Sequence, residues 1–216
     1  MSAQVFRDRR QAGKLLAQAL DHYAGRADVV VLGLPRGGVP VAAEVARALG
    51  APLDVLIVRK LGAPGQEELA IGAIAEGGVR VLNRELVENL GLTRGEIDEL
   101  AQSEERELER RVHIYRGGRN PIPVADRTVI VVDDGVATGA TMRAGLQSLR
   151  ARGASIIVAA APVAAADSVE ALHEDADEVV ILETPSWFNA VGQWYENFGQ
   201  TSDEEVRAFL GVKEAE

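Results

Sequence analysis

Two adjacent carboxylates, Asp133 and Asp134, close an apolar run in the stretch V-I-V-V-D-D-G-V-A-T-G-A-T at residues 129–141. A buried strand that ends in acids and passes through a small-residue loop into a helix puts the loop beyond the carboxyl end of the strand, where ligands of parallel sheets sit. Backbone N–H groups at a helix N-terminus have no intrahelical acceptor, and the helix dipole adds positive potential, so this loop suits a phosphate. Thr138 and Thr141 can add hydroxyl donors, and glycine lets the backbone approach the anion closely. The carboxylates would repel that phosphate, but they suit the hydroxyls of a sugar. Phosphate donors beside hydroxyl acceptors describe a ribose 5-phosphate site. A strand–turn–helix with Asp134 near a helix cap is the bland alternative. A Walker A loop does not fit, because it needs Gly-Lys-Ser or Gly-Lys-Thr where Gly139 precedes Ala140.

Two further groups carry charge at strand ends. Leu34-Pro35-Arg36-Gly37-Gly38 follows the apolar run 29–33, so Arg36 and the open backbone of Gly37 and Gly38 lie at the same sheet edge as Asp133. Arg59 and Lys60 follow the run 53–58 and precede LGAPGQEELA at 61–70, which reads as a flexible loop. Taken alone, Arg59-Lys60 is a solvated charge pair. His22, His113 and His173 lie outside every motif and read as surface or structural residues.

The elements that must position these groups alternate between strand and helix. Residues 5–23 read as a helix, Val29–Gly33 as a strand, Val39–Leu49 as a helix stopped by Gly50, and Leu53–Val58 as a strand. Ile71–Ala75 and Val79–Leu82 flank a Glu-Gly-Gly turn and predict a hairpin. Thr93 and Glu96 have capping-box spacing before a long charged helix ended by Gly117 and Gly118. Strand Thr128–Val132, helix Gly139–Arg152, strand Ile156–Ala161, helix Ala165–Glu174 and strand Val179–Leu182 follow. Continuous apolar strands, each trailed by a helix, imply an α/β fold with a parallel doubly wound sheet. Residues 184–200 break the pattern and hold Trp187, Phe188, Trp194, Tyr195 and Phe198 in a chain with only 4% aromatics.

Bulk properties narrow the function classes. The chain has 216 residues, 47% hydrophobic and 26% charged, and no cysteine, which excludes a disulfide scaffold and thiolate chemistry. The 23 basic and 33 acidic residues give a net charge of −10, which disfavours general nucleic-acid binding. No apolar run approaches a membrane span, and the N-terminus lacks the apolar core of a signal peptide. The expectation is a cytoplasmic protein with no membrane and no nucleic-acid partner.

Residues 129–141 resemble the signature with which type I phosphoribosyltransferases bind phosphoribosyl pyrophosphate (PRPP). FRDRRQAG, LPRGGVPVA, VRKLGAPGQEELAIGA and VDDGVATGAT together are similar to a bacterial phosphoribosyltransferase group whose natural base the residues do not define. The resemblance covers about residues 28–183, treated as the core of a single domain spanning 1–216. It leaves a helical insert at about 83–120 poorly covered and places a small hood lobe, drawn from the C-terminal and N-terminal ends, at about 184–200. It implies a pentosyl transfer, of the kind used in nucleotide salvage, that joins a nitrogenous base to C1 of PRPP and releases pyrophosphate. Asp133 and Asp134 would hold the ribose hydroxyls, and Ala137, Thr138, Gly139, Ala140 and Thr141 the 5′-phosphate. Arg36, Gly37, Gly38 and Lys60 would hold pyrophosphate, with Arg36, Arg59 and Lys60 as the catalytic cations. Mg²⁺ would arrive on PRPP, with no direct protein metal ligand. A non-proline cis peptide is expected at Pro35–Arg36. Gly135 departs from the family, most members of which carry a larger apolar residue there.

The acceptor is less constrained. Ala137 stands where hypoxanthine-guanine members carry an Asp, so Glu67 or Glu68 would have to serve as acid or base. Trp187 or Phe188, with Val191, could line the acceptor pocket in the hood; the same aromatics could instead close a core or a homodimer interface. Two other functions share these motifs: a PRPP-sensing regulator on the same fold, and phosphorolysis or hydrolysis of another ribose phosphate.

Overall fold

The computed structural model describes residues 4–76 and 78–212, apart from the side chains of Glu67 and Glu68. Strands β1 (Val29–Gly33), β2 (Leu53–Val55), β6 (Thr128–Val132), β7 (Ile156–Val163) and β8 (Glu178–Glu183) form one parallel sheet in the order β2-β1-β6-β7-β8. The alternation within β1 shows why both faces are covered. Val29 and Val31 pack on α1 (Arg9–Ala19) and α2 (Gly38–Leu49) through Leu16, Leu20, Val41 and Val45. Val30 and Leu32 face the opposite way, toward Leu146 and Leu149 of α5 (Ala140–Ala151) and Leu172 of α6 (Ala166–Leu172). The order runs outward from β1 in both directions, so the point where topology reverses lies between β1 and β6. Their last residues, Gly33 and Val132, are register partners there.

A second, antiparallel sheet holds β3 (Val58–Ala63), β4 (Gln66–Ala75) and β5 (Val79–Leu82), in that order. The expected single strand at 53–58 is therefore two strands in different sheets. Leu56 and Ile57, fully buried between them, carry the chain across, and an apolar run reads the same in either setting. The expected loop at 61–70 is also corrected. Ala63 pairs with Gln66, so Pro64 and Gly65 form a two-residue hairpin turn, with Gly65 at φ 72°. Gly62 sits at a register shift in β3. The glycines and proline that suggested a loop serve the turn and the bulge.

The helix expected at 5–23 is shorter, because Asp8 accepts a hydrogen bond from the Gln11 N–H and starts α1 at Arg9. The short helix α3 (Arg84–Asn89) lies within the 83–120 insert, and a further short helix, α7 (Asp203–Phe209), was not expected. The Thr93–Glu96 capping box is formed and opens α4 (Arg94–Arg116), which ends at Gly117 with φ 55°. Leu108 and Tyr115 of α4, together with Val206 and Leu210 around α7, join Ile57, Leu61 and Ile71 in a core shared with the second sheet.

Arg116 anchors the end of α4. It is 3% exposed, and its Nε lies 2.9 Å from Asp54 Oδ1, its Nη2 donates to the Val55 carbonyl at 2.9 Å, and its Nη1 meets Glu76. One side chain thus ties α4 to β2 and to the β4–β5 turn. Arg116→Ala would strand two largely buried carboxylates, so we predict a loss of about 3–5 kcal/mol in unfolding free energy by urea titration. A loss below about 1 kcal/mol would show that the network contributes little.

Candidate active site

Two loops leave the sheet side by side where β1 and β6 end. The first runs through Leu34 to Gly38, and the Leu34 N–H donates to the Val132 carbonyl at 2.9 Å. The peptide between Pro35 and Arg36 is cis, as expected. A Cβ added at Gly37 would stand 2.0 Å from Asp134 Oδ2, and one at Gly38 would stand 2.6 Å from the Val132 carbonyl oxygen and 2.8 Å from the Asp133 Cα. A side chain at Gly38 would meet backbone, and one at Gly37 would displace the Asp134 carboxylate.

The second loop carries the acids. The Asp134 N–H donates to Asp133 Oδ1 at 2.8 Å. Burial and the neighbouring Asp134 carboxylate push the Asp133 carboxyl well above the usual carboxylate range. Asp134 is 9% exposed. The chain then passes Val136, whose N–H and carbonyl are pinned to Val163 and Ala165, while Ser168 Oγ donates to the Ala137 carbonyl at 2.5 Å. Gly139 adopts φ 71° at the N-cap of α5 and, as glycine, offers no capping side chain, while the Thr138 hydroxyl accepts from the Ala140 N–H at 3.5 Å. Ala137, Thr138, Ala140 and Thr141 are exposed around it. The result is an exposed helix N-terminus with hydroxyl groups alongside, next to two carboxylates, an arrangement whose backbone donors suit an anion and whose carboxylates suit hydroxyl donors.

The other expected residues are placed around this crevice. Arg36 is half-exposed, with Nη1 3.8 Å from Asp203 Oδ1, and Asp203 also accepts from the Tyr115 hydroxyl at 2.9 Å. Burial and that carboxylate push the Tyr115 hydroxyl up to about 12. Arg59 Nε donates to Glu104 of α4 at 2.7 Å. Arg59 and the exposed Lys60 line a cleft of about 700 Å³ between the β3–β4 hairpin and α4, which also holds Glu96, Glu99 and Ser103. The structure thus brings the 34–38 loop and the 133–141 loop into contact and sets Arg59 and Lys60 on a separate wall. Glu67 and Glu68 lie outside the described side chains.

Among the aromatics, Trp187 is 80% exposed and Phe188 is half-buried against Trp194. Val191 fills the space that a side chain at position 135 would occupy, with its Cγ1 2.4 Å from where that Cβ would lie. That contact explains the departure at Gly135, and it seats the aromatic segment directly behind the acidic pair.

Residues 7–198 match the family model described as the phosphoribosyl transferase domain. The chain belongs to the phosphoribosyltransferase family. A Mycobacterium tuberculosis protein named "putative phosphoribosyl transferase" is 55% identical over 206 residues, which are 95% of this chain and 46% of that one. The chain therefore spans about half the length of the curated relatives it matches. A crystal structure from Thermus thermophilus superposes with a TM-score of 0.88 at 47% identity, covering 96% of this chain and 98% of that one. The bifunctional protein PyrR of Brevibacillus brevis is 31% identical over 112 residues, half of this chain and 61% of that one.

Sequence reasoning missed two residues that touch the site. Arg9 Nε donates to Asp134 Oδ2 at 2.8 Å, and the Tyr195 hydroxyl donates to the Asp134 carbonyl at 2.5 Å. No local signal separates Arg9 from Arg7 and Arg10, which are largely exposed. Only the docking of α1 chooses among them.

The raised Asp133 carboxyl has a consequence for stability. Folding disfavours its ionised form, so the penalty is absent below the ordinary carboxylate range and builds as pH rises from there toward the raised value. Asp133→Asn keeps an oxygen to accept the Asp134 N–H and removes the charge. We predict a higher Tm than wild type at pH 7, with the difference shrinking below about pH 4, where the carboxyl is protonated folded or unfolded. An unchanged or lower Tm at pH 7 would contradict the assignment of that penalty.

Proposed function

We propose that the crevice between β1 and β6 binds PRPP and that the protein transfers the phosphoribosyl group to a nitrogenous acceptor. The observation that carries this reading is the close approach of Gly37 to the Asp134 carboxylate beside the exposed start of α5. It brings a loop of open backbone, an acidic pair and a phosphate cradle within the span of one small ligand. In this reading Asp133 and Asp134 accept from the ribose hydroxyls. Residues 137–141 hold the 5′-phosphate, and Arg36, Gly37 and Gly38 receive the pyrophosphate.

The bond from C1 to the pyrophosphate oxygen breaks, with its electron pair leaving on pyrophosphate. A bond from the acceptor nitrogen to C1 forms, and that nitrogen then loses its proton. Positive groups matter most where negative charge develops. Arg36 is the cation within the 34–38 loop, while Lys60 and Arg59 would act from the hairpin wall. Mg²⁺ would be held by oxygens of PRPP and would neutralise charge on the leaving pyrophosphate. The residues fit such a ligand, because Gly37 and Gly38 leave backbone rather than side chain facing the acids, and no carboxylate lies within residues 34–38.

The acceptor would lie on the aromatic side, at Trp187 or Phe188 with Val191. The exposure of Trp187 leaves it free to stack on a planar base. The net charge of −10 favours the transferase over a nucleic-acid-binding regulator that senses PRPP.

Calorimetry with PRPP·Mg²⁺ tests the reading. Asp133→Asn with Asp134→Asn should cost on the order of several kcal/mol in binding free energy, since two charged acceptors are lost. Wild-type affinity in the double variant would overturn the ribose assignment. Trp187→Ala is expected to shift Tm by under about 2 °C, as for an exposed substitution, and to keep PRPP affinity. It should abolish the quenching of tryptophan fluorescence by whichever planar base the wild type accepts in a pyrophosphate-release screen. Undiminished quenching in that variant would remove Trp187 from the acceptor pocket.

A further inference from the structure

Arg9 reaches Asp134 across 125 residues of sequence, and all of its polar atoms are engaged. Nε donates to Asp134 Oδ2 at 2.8 Å, and Nη2 lies 2.8 Å from the same oxygen. Nη1 donates to the Gly199 carbonyl at 2.6 Å. The guanidinium carbon stands 4.0 Å from the Phe198 ring centroid and 6.0 Å from that of Tyr195. Both partners of the ion pair are 13% exposed in their side chains. The Asp134 backbone is held at the same time, through its N–H on Asp133 and its carbonyl under the Tyr195 hydroxyl. Every contact that Arg9 makes with Asp134 falls on Oδ2. The Asp134 carboxylate is also hydrogen-bonded to the neighbouring Asp133 side chain.

We propose that Arg9 is a positioning residue for ribose recognition, turning Asp134 so that Oδ2 faces the protein and Oδ1 faces the ligand. This rests on the PRPP reading given above. The physical case is geometric. A carboxylate beside Gly37 can rotate about χ2, and either oxygen could face the ligand. A planar guanidinium fixed on three sides selects one rotamer, because its N–H vectors are rigid and its stacking on Phe198 fixes its plane. Anchoring α1 does not require this contact, since Leu16 and Leu20 bury the helix and Phe6 is hydrogen-bonded to Trp194 and Glu196. Fixing a long arginine side chain costs conformational entropy that a surface role would not demand.

The test separates ribose recognition from general phosphate attraction. Wild type, Arg9→Gln and Arg9→Lys are titrated by calorimetry with three ligands: PRPP·Mg²⁺, ribose 5-phosphate and magnesium pyrophosphate. Arg9→Gln should weaken both ribose-bearing ligands on the order of tenfold to a hundredfold, while magnesium pyrophosphate stays within about twofold. Arg9→Lys restores the charge without the planar fork and should fall between wild type and Arg9→Gln. If Arg9→Gln does not fold, the Lys variant carries the same ratio of ribose to pyrophosphate losses. In an Asp134→Asn background, Arg9→Gln should add no further loss for ribose 5-phosphate, as expected for two groups acting as one unit. Equal weakening of all three ligands would assign Arg9 a general electrostatic or folding role and overturn the proposal, as would unchanged ribose affinity. A wild type that binds neither PRPP nor ribose 5-phosphate would overturn the PRPP reading itself, and this inference with it.

Discussion

Positions 37 and 38 admit nothing larger than hydrogen on the α-carbon without displacing the acidic pair or the end of β6, which already occupy the space a side chain would need. That steric limit follows from the parallel pairing of β1 with β6, whose last residues, Gly33 and Val132, are in register. Two strands that end level with each other release their loops at the same height. The order β2-β1-β6-β7-β8 then sends the following helices to opposite faces and opens a crevice between them. α2 and α5 both begin at this crevice, so two helix N-termini contribute positive potential to it. The positive potential at this edge is thus a property of topology before any cationic side chain is considered.

The cationic side chains that surround it are held by carboxylates. Arg9 sits on Asp134, Arg36 beside Asp203, and Arg59 on Glu104. In a chain of net charge −10 the long-range field opposes a polyphosphate, so attraction has to be built at short range from backbone N–H groups and oriented arginines. Space is used as closely behind the acids, where Val191 takes the volume vacated at Gly135.

Residues 6–9 and residues 194–199 meet next to the site. The Phe6 N–H donates to the Trp194 carbonyl, and the N–H groups of Glu196 and Asn197 return to Phe6 and Arg7. This short ladder brings Arg9 from one side and Tyr195, Phe198 and Gly199 from the other onto Asp134. Asp203, five residues past the end of the family match, reaches the 34–38 loop through Arg36. The groups that contact the acidic pair and the basic loop come from residues 9, 195 and 203, outside the central sheet, while the pair and loop follow its strands β6 and β1.

The parallel core and the two loops of the site were legible in the amino-acid order alone, because each rests on local chemistry. Runs such as Val29–Gly33 and Thr128–Val132 suit strands buried on both faces, and the small residues at 135–141 suit an open loop entering a helix. The capping box at Thr93 could be read for the same reason. The hairpin through residues 61–70 could not, since glycine and proline serve loops, turns and bulges alike, and only pairing with a partner strand distinguishes them. Nor could the split at 53–58, where one apolar run feeds two sheets. Arg9 and Tyr195 were hidden more deeply: an arginine among arginines and a tyrosine among aromatics acquire a role only when segments 125 and 61 residues from Asp134 fold back onto it. Local sequence sets which backbone an element adopts, but the orientation of a carboxylate oxygen depends on partners that arrive from far away in the sequence.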